Sequence, residues 1–449
     1  MIKKILKNEF NRNVLILMTG TSIAQAIPVA ISPILARIYT PKDFGIFALY
    51  MSIATIIAVI ATCKYELAIM LPKKDEDAIN IVALSIAITF FVSFIFFLIV
   101  YIFNIRITNL LGNKELSNYL YFIPITVLLT GLYQSFYYWS NRKKQYKRLA
   151  TSKVIQSGTR ATTNLSLGFG GFGSGGLIIG GLVGQIISTG FLGRVIWKKD
   201  KSHFSKIKKN KIVDLANRYI KFPKFEILSG LFNTSSGQAP IILLTAFFNS
   251  TITGFYSFSY RLLSLPMSFF TSSISQVFLQ ESTKIKHQKN RLHDLTLSTF
   301  NKLFYTALLP MTFVGIYGDL IFSLIFGKNW ITAGVYARIL SLWLFFVFIS
   351  SPLSTLLITL EKQKESFIFN FSIFASRLIS LICGYYIFND ALKTIILYTF
   401  VGVVFWIFLM FYIFHIVEIK LIELSIPTVV LMTVIIVFYI IRISLFGKI

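Results

Sequence analysis

The chain has 449 residues, of which 55% are hydrophobic, 16% aromatic and 14% charged, with a mean hydropathy of +0.71. Soluble domains carry about a quarter charged residues, so this composition excludes a water-soluble enzyme of ordinary design. The 44 Lys and Arg against 18 Asp and Glu leave a net charge of +26, which with this hydropathy points to a membrane rather than to nucleic acid.

A bilayer core takes a helix of roughly 20 apolar residues. Lys3, Lys4 and Lys7 precede an apolar run at about 14–38. That run is longer than a signal core and no small-residue cleavage site follows, so it is the first predicted span. Further spans are predicted at about 44–63, 78–103, 119–140, 149–169 and 175–197. After a polar segment come about 222–248, 253–278, 300–326, 333–359, 366–388 and 391–415, and a thirteenth at about 424–446. Cys63 and Cys383 each sit in apolar sequence, which excludes a disulfide framework and a cysteine-rich metal site. The expected fold is an all-α integral membrane protein.

Lys and Arg alternate strictly between loops: 28 fall on the side of the N-terminus, 8 on the other, and 8 lie within spans. By the positive-inside rule the N-terminus is cytoplasmic, and thirteen spans put the C-terminus outside. The longest polar segment, 198–221, reads either as a basic amphipathic helix on the inner membrane face or as a solvated linker. The domains expected are a six-helix lobe over 1–197, the linker 198–221, a second six-helix lobe over 222–415, and an extra helix over 416–449.

The two halves echo one another. Gln25-Ala26-Ile27-Pro28 has a counterpart in Gln238-Ala239-Pro240, and Gly45 matches Gly254 at the start of the next span. Gly112-Asn113-Lys114 matches Gly327-Lys328-Asn329, and Tyr121 matches Tyr336. Colinear matches of this kind predict two lobes related by a pseudo-two-fold axis along the membrane normal. Chance Gly and Pro matches are the alternative. Prolines inside spans, such as Pro28, Pro240 and Pro310, permit kinks.

Ionisable groups deep in a bilayer are functional candidates. Arg160 lies about 14 Å into the fifth span, Arg377 about 16 Å into the eleventh, and Arg261 about 12 Å into the eighth. Arg160 and Arg377 are repeat-equivalent, and would face one another if the axis runs between them. Gln156, Thr159 and Asn164 make the fifth span the most polar, and together with Gln25 and Gln238 they are candidates to line a wet cavity. Few acids are available to neutralise these cations, and a guanidinium suits phosphate because its fork binds two oxygens. The alternative is that each Arg pairs with carbonyls or snorkels.

Four scattered histidines offer no metal-ligand spacing, and no cofactor or metal is expected. The glycine-rich run from Gly168 to Gly176 lacks the Gly-Lys-Ser/Thr of a phosphate loop and is read as an outer hairpin. Gly176, Gly180 and Gly184 then give the sixth span a close-packing face. Tyr133, Tyr137, Tyr138 and Trp139 are read as an interfacial aromatic belt.

Thr19-Gly20-Thr21-Ser22-Ile23-Ala24-Gln25, then Pro33-Ile34-Leu35-Ala36-Arg37-Ile38-Tyr39-Thr40-Pro41-Lys42-Asp43-Phe44-Gly45, resembles the Wzx-type polysaccharide flippases of the multidrug/oligosaccharidyl-lipid/polysaccharide exporter superfamily. Lys64-Tyr65-Glu66-Leu67-Ala68-Ile69-Met70-Leu71-Pro72 is similar to the same family, as is the segment from Gly254-Phe255-Tyr256 through Arg261-Leu262-Leu263-Ser264-Leu265-Pro266. The resemblance covers about residues 14–415. It implies two six-helix lobes around a cationic cavity and alternating-access transport of an undecaprenyl-diphosphate-linked oligosaccharide to the outer leaflet. It also implies a place beside a polysaccharide polymerase and chain-length machinery. By matching position, Arg37, Glu66 and Arg261 would be motif or gating residues. The thirteenth span departs from the family's twelve or fourteen.

Three rival readings remain. A multidrug exporter of cationic compounds would want buried acids. A membrane-embedded polymerase or acyl transferase would want a large outer loop or a deep His/Asp pair. A scaffold would have no reason to bury arginines at matched depths.

Overall fold

The computed structural model describes residues 9–446; Lys3, Lys4, Lys7 and Lys448, counted above among the topological charges, lie outside them. All regular structure among the described residues is helical. Among the described residues, thirteen helices of 18 residues or more correspond to the predicted spans. They are α1 (Glu9–Ile38), α2 (Pro41–Ala58), α3 (Asp75–Leu110), α4 (Ile123–Arg142), α5 (Tyr146–Phe169), α6 (Gly173–Lys199) and α7 (Ile227–Phe247), followed by α8 (Ser250–Lys284), α9 (Lys289–Phe326), α10 (Ile331–Leu353), α11 (Gln363–Phe388), α12 (Ala391–Ile416) and α13 (Ser425–Phe446).

Nine helices among the described residues are long and apolar enough to cross a membrane, and a tenth is counted if α4 is joined to the short helix before it across a 47° bend. The polar residues of α5 have neighbours that explain its low hydropathy. Gln156 donates from its amide to Gln185 of α6, and Lys153 lies 3.3 Å from the Thr21 hydroxyl of α1. On α7, Gln238 accepts from Ser52 of α2 at 2.8 Å. These side chains are matched by other helices, so the helix needs no uniform apolar surface. The apolar stretch of α13 is the shorter Val429–Ile440.

The chain divides into two compact units, Met1–Gly254 and Phe255–Ile449. Within the first unit, α7 packs on α2. In the first unit, α5 packs against α1 and α6. A Cβ on Gly180 would fall 1.8 Å from Asn164 Oδ1, and one on Gly184 would fall 2.8 Å from the Gln156 carbonyl. A Cβ on Gly176 would meet the Tyr39 hydroxyl at 2.5 Å. The predicted small-residue face of α6 is therefore the surface on which α5 and the end of α1 rest.

The repeat-equivalent glycines Gly45 and Gly254 meet at a backbone crossing. A Cβ on Gly45 would lie 1.7 Å from the Ser250 carbonyl oxygen, and one on Gly254 would lie 1.8 Å from the Pro41 carbonyl oxygen. The contact is reciprocal: each glycine faces a backbone carbonyl four residues before the other. No flexible side chain can move aside here. Gly45→Val or Gly254→Val is expected to destabilise by about 3 kcal/mol, the upper end for overpacking, read as a lower unfolding temperature of the purified variant.

The segment after α6 forms the helix Lys209–Arg218, docked on α3. Leu215 and Tyr219 are buried beside Ile79 and Val82, while Lys211 pairs with Asp77 at 3.2 Å and Lys206 with Glu76 at 3.3 Å. Leu215, Ala216 and Tyr219 thus meet protein, while Val213 is exposed. Trp139, expected in an interfacial belt, is instead fully buried, and its indole donates to Asp200 at 3.1 Å, a carboxylate shared with Arg148 at 3.0 Å.

In the second unit, α9 packs on α10 and on α13. His293 and Glu423 meet at 2.9 Å near the starts of α9 and α13. Farther along, the Tyr317 hydroxyl donates to the Phe438 carbonyl at 2.8 Å. Beyond that, Asp319 accepts from Arg442 at 2.8 Å and from Arg338 of α10 at 3.5 Å. Contacts in the same order along both chains mean that α13 runs parallel to α9. From Ser425 to Arg442 the rise is about 26 Å, close to the roughly 30 Å of a bilayer core.

Candidate functional site

Arg377 of α11 occupies an aromatic box. Its guanidinium carbon lies 3.8 Å from the centroid of Trp343 and 4.0 Å from that of Tyr398. Tyr260 stacks on Trp343 at 5.9 Å, Tyr256 stacks on Tyr260 at 6.1 Å, and Tyr256 meets Tyr398 edge-on at 6.3 Å. Gly402 admits the indole, since a Cβ there would lie 2.9 Å from Trp343. The ring faces stabilise the cation, by roughly 2 kcal/mol per desolvated contact. They leave its hydrogen bonds unmet: Nε and Nη2 of Arg377 are buried with no hydrogen-bond partner among the described residues, as is Nε1 of Trp343. Buried donors without acceptors cost about 1–3 kcal/mol each. An anion with two oxygens in one plane is the chemistry that relieves this.

The first unit holds Arg160 differently. Its guanidinium carbon lies 5.1 Å from the Phe47 centroid, and its Cβ rests against Gly184. Gln156 and Thr159 are half-buried on the same helix, and Gln156 is engaged with Gln185. Asn164 is 4% exposed and packs against Gly180, while its backbone carbonyl accepts from the Tyr39 hydroxyl at 2.6 Å. It sits in a helix contact. Gln25 is half-buried, with its amide oxygen unpartnered among the described residues, and Gln238 is held by Ser52.

Arg261 is half-buried on α8, and Arg37 is exposed at the end of α1. Glu66 is 3% exposed in the short helix Tyr65–Ala68 between α2 and α3, where it accepts from the Thr62 hydroxyl. Burial pushes its carboxyl above the usual carboxylate range. Among the described residues no group of three or more His, Cys, Asp or Glu could hold a metal.

The aromatic box has one trace in the sequence, the i,i+4 spacing of Tyr256 and Tyr260 that puts both on one helix face. Trp343 and Tyr398 come from other helices at no readable spacing. The Asp319 pairing with Arg338 and Arg442 was equally hidden, since the three lie on separate helices.

The described fold has close structural likenesses. The structure titled "Lipid II flippase MurJ, inward closed conformation" matches with a TM-score of 0.70 at 16% identity, over 96% of this chain and 98% of that one. A transporter of the MOP superfamily from Pyrococcus furiosus, described by a binding pocket of reversed polarity, matches with a TM-score of 0.57 at 13% identity, over 92% and 97%. A MATE P26A mutant matches with a TM-score of 0.55 at 12% identity, over 92% and 98%. These identities speak for the fold alone. No curated protein sequence matches the chain. The family model described as "Polysaccharide biosynthesis protein" matches residues 34–335, and with two thirds of its length so matched the chain belongs to that polysaccharide biosynthesis family.

Proposed function

We propose that the protein is a flippase that moves an undecaprenyl-diphosphate-linked oligosaccharide from the cytoplasmic to the outer leaflet of the bacterial cell membrane, for O-antigen, capsule or exopolysaccharide. The observation that carries this reading is the Arg377 guanidinium, buried among aromatic rings with two N–H groups unmet. Family membership supplies the glycan, and the likeness to a lipid II flippase fits a lipid-linked substrate.

In this reading Arg160, Arg261 and Arg377 bind the diphosphate, with Gln25, Gln156, Thr159, Asn164 and Gln238 serving the glycan where conformational change opens them. Arg37 and Glu66 act in gating. No covalent chemistry is required. Alternating access moves the headgroup, driven by differential contacts in the two end states, while the lipid tail stays in the bilayer. The N-terminus lies in the cytoplasm and the C-terminus outside. The polymerase and chain-length proteins act on the delivered substrate.

The rival reading, export of cationic drugs, would need acids where these helices carry arginines. In a strain lacking its own flippase, the wild-type protein is expected to restore surface polysaccharide. Failure to restore it with the cognate glycan pathway present, while the protein reaches the membrane, would refute the proposal.

A further inference from the structure

The first unit contains a half-enclosed cavity of about 360 Å³ that the diphosphate reading does not use. Pockets for small ligands run from roughly 300 to 1,000 Å³, so this one has room for a single small polar group. Its polar wall is made of Thr55 of α2, Thr126, Thr130 and Gln134 of α4, Thr234 of α7, and Lys64 from the turn after α2. The remaining lining is aliphatic, and no carboxylate contributes to it.

The wall is rich in hydrogen-bonding groups. Thr130 spends its hydroxyl proton on the Thr126 carbonyl at 2.7 Å, which leaves its lone pairs free to accept. Gln134 Oε1 is buried and has no hydrogen-bond partner among the described residues. Together with the Gln134 amide N–H groups and the other threonine hydroxyls, the wall offers donors as well as acceptors, which suit the O–H groups of a sugar. Lys64 adds the one charge. Its backbone is left-handed, with φ of 63°, next to Cys63 at 47°. A lysine gains nothing intrinsic from that conformation, which costs about 1 kcal/mol or more. The turn directs its side chain toward α7, where Cε and Nζ lie 3.1 and 3.4 Å from the place a Cβ would take on Gly230. A glycine at 230 leaves room for the ammonium at the cavity wall.

We infer that this cavity is a sugar subsite for a pyranose bearing or adjoining a negative charge, with Gln134 and Thr130 hydrogen-bonding to its hydroxyls and Lys64 pairing with the anion. The inference rests on the flippase reading for its substrate, and the cavity lining includes none of the arginines assigned to the diphosphate. The anion has two sources with one chemistry: a carboxylate on the glycan itself, or the phosphate at its reducing end.

The test uses the full chain, purified in detergent, with glucuronate, glucose 1-phosphate and glucose as probes at equal ionic strength. Ligand-induced thermal stabilisation is followed by tryptophan fluorescence. At least one charged sugar is expected to bind more tightly than glucose. Lys64→Asn, which keeps the left-handed turn, is expected to erase that difference through an affinity loss of about tenfold or more, and Gln134→Leu to weaken all three probes. Preference for glucuronate assigns the anion to the glycan, and preference for glucose 1-phosphate assigns it to the reducing end. Equal response to charged and neutral sugars, absence of any response, or an undiminished charged-sugar response in Lys64→Asn overturns the subsite. Lys64→Arg, expected to keep the preference, guards against misfolding. If Lys64→Asn and Gln134→Leu carry lipid-linked oligosaccharide at wild-type rate while Arg377 variants do not, the subsite fails and the flippase reading stands.

Discussion

Arg377→Met is expected to abolish restoration of surface polysaccharide while leaving the purified protein at least as stable as the wild type. The two outcomes have separate physical origins. Methionine keeps much of the arginine's length among Trp343, Tyr398 and Tyr260, so the packing survives. It also removes two buried N–H groups that have no partner among the described residues, and replacing a buried charge by an apolar group of similar volume is often neutral or stabilising. The functional loss comes from the substrate side. Two charge-assisted hydrogen bonds at about 1.5–3 kcal/mol each amount to at least a hundredfold in affinity for the diphosphate, by roughly 1.4 kcal/mol per tenfold. Arg377→Lys is expected to rescue poorly, because an ammonium lacks the planar fork. Unfolding temperature and polysaccharide restoration, measured on the same variants, separate the roles. A variant that is less stable and fully active would make Arg377 a structural residue.

Asp319→Ala is expected to produce the largest loss of stability, about 3–5 kcal/mol by analogy with other broken buried pairs. Asp319 is the shared acceptor for Arg442, whose side chain is 7% exposed, and for Arg338 of α10. Its removal leaves two guanidinium groups side by side with the Gly315 and Ile316 carbonyls as their partners among the described residues. The attachment of α13 to α9 should loosen first, so protease cleavage near the C-terminus is expected before global unfolding. Asp319→Leu combined with Arg442→Leu is expected to recover much of the loss, since the uncompensated charge is removed with its partner. If Asp319→Ala unfolds at the wild-type temperature, the carboxylate does not hold α13.

Hydropathy and charge alternation were enough to locate thirteen helices in the sequence, because lipid imposes a length and an apolar surface on each span. They do not distinguish a polar residue that faces a cavity from one that faces another helix. Gln238 looked like cavity lining and is held by Ser52, while Asn164 packs against Gly180. A polar residue inside a bundle reads the same whether it faces water or another helix. Gly176, Gly180 and Gly184 were legible because close approach leaves a periodic trace on a single helix. The aromatic box of Arg377 is assembled from α8, α10, α11 and α12, and the partners of Asp319 come from α10 and α13. Neither is periodic along any one segment, so only the fold brings them together. Lys64 was visible as a topological charge and as part of a family-like motif, but its direction depends on a left-handed turn that sequence spacing does not encode.

The proposed activity is transfer of a lipid-linked glycan across the bilayer. Its most direct measurement is in vesicles reconstituted with the full chain and loaded on the inner leaflet with an undecaprenyl-diphosphate oligosaccharide. A membrane-impermeant glycan-binding probe outside then reports the headgroups that appear on the outer leaflet. Protein-dependent exposure, lost with Arg377→Met, is the expected result. Exposure equal to that of protein-free vesicles, with the cognate glycan and correctly folded protein, would contradict the account.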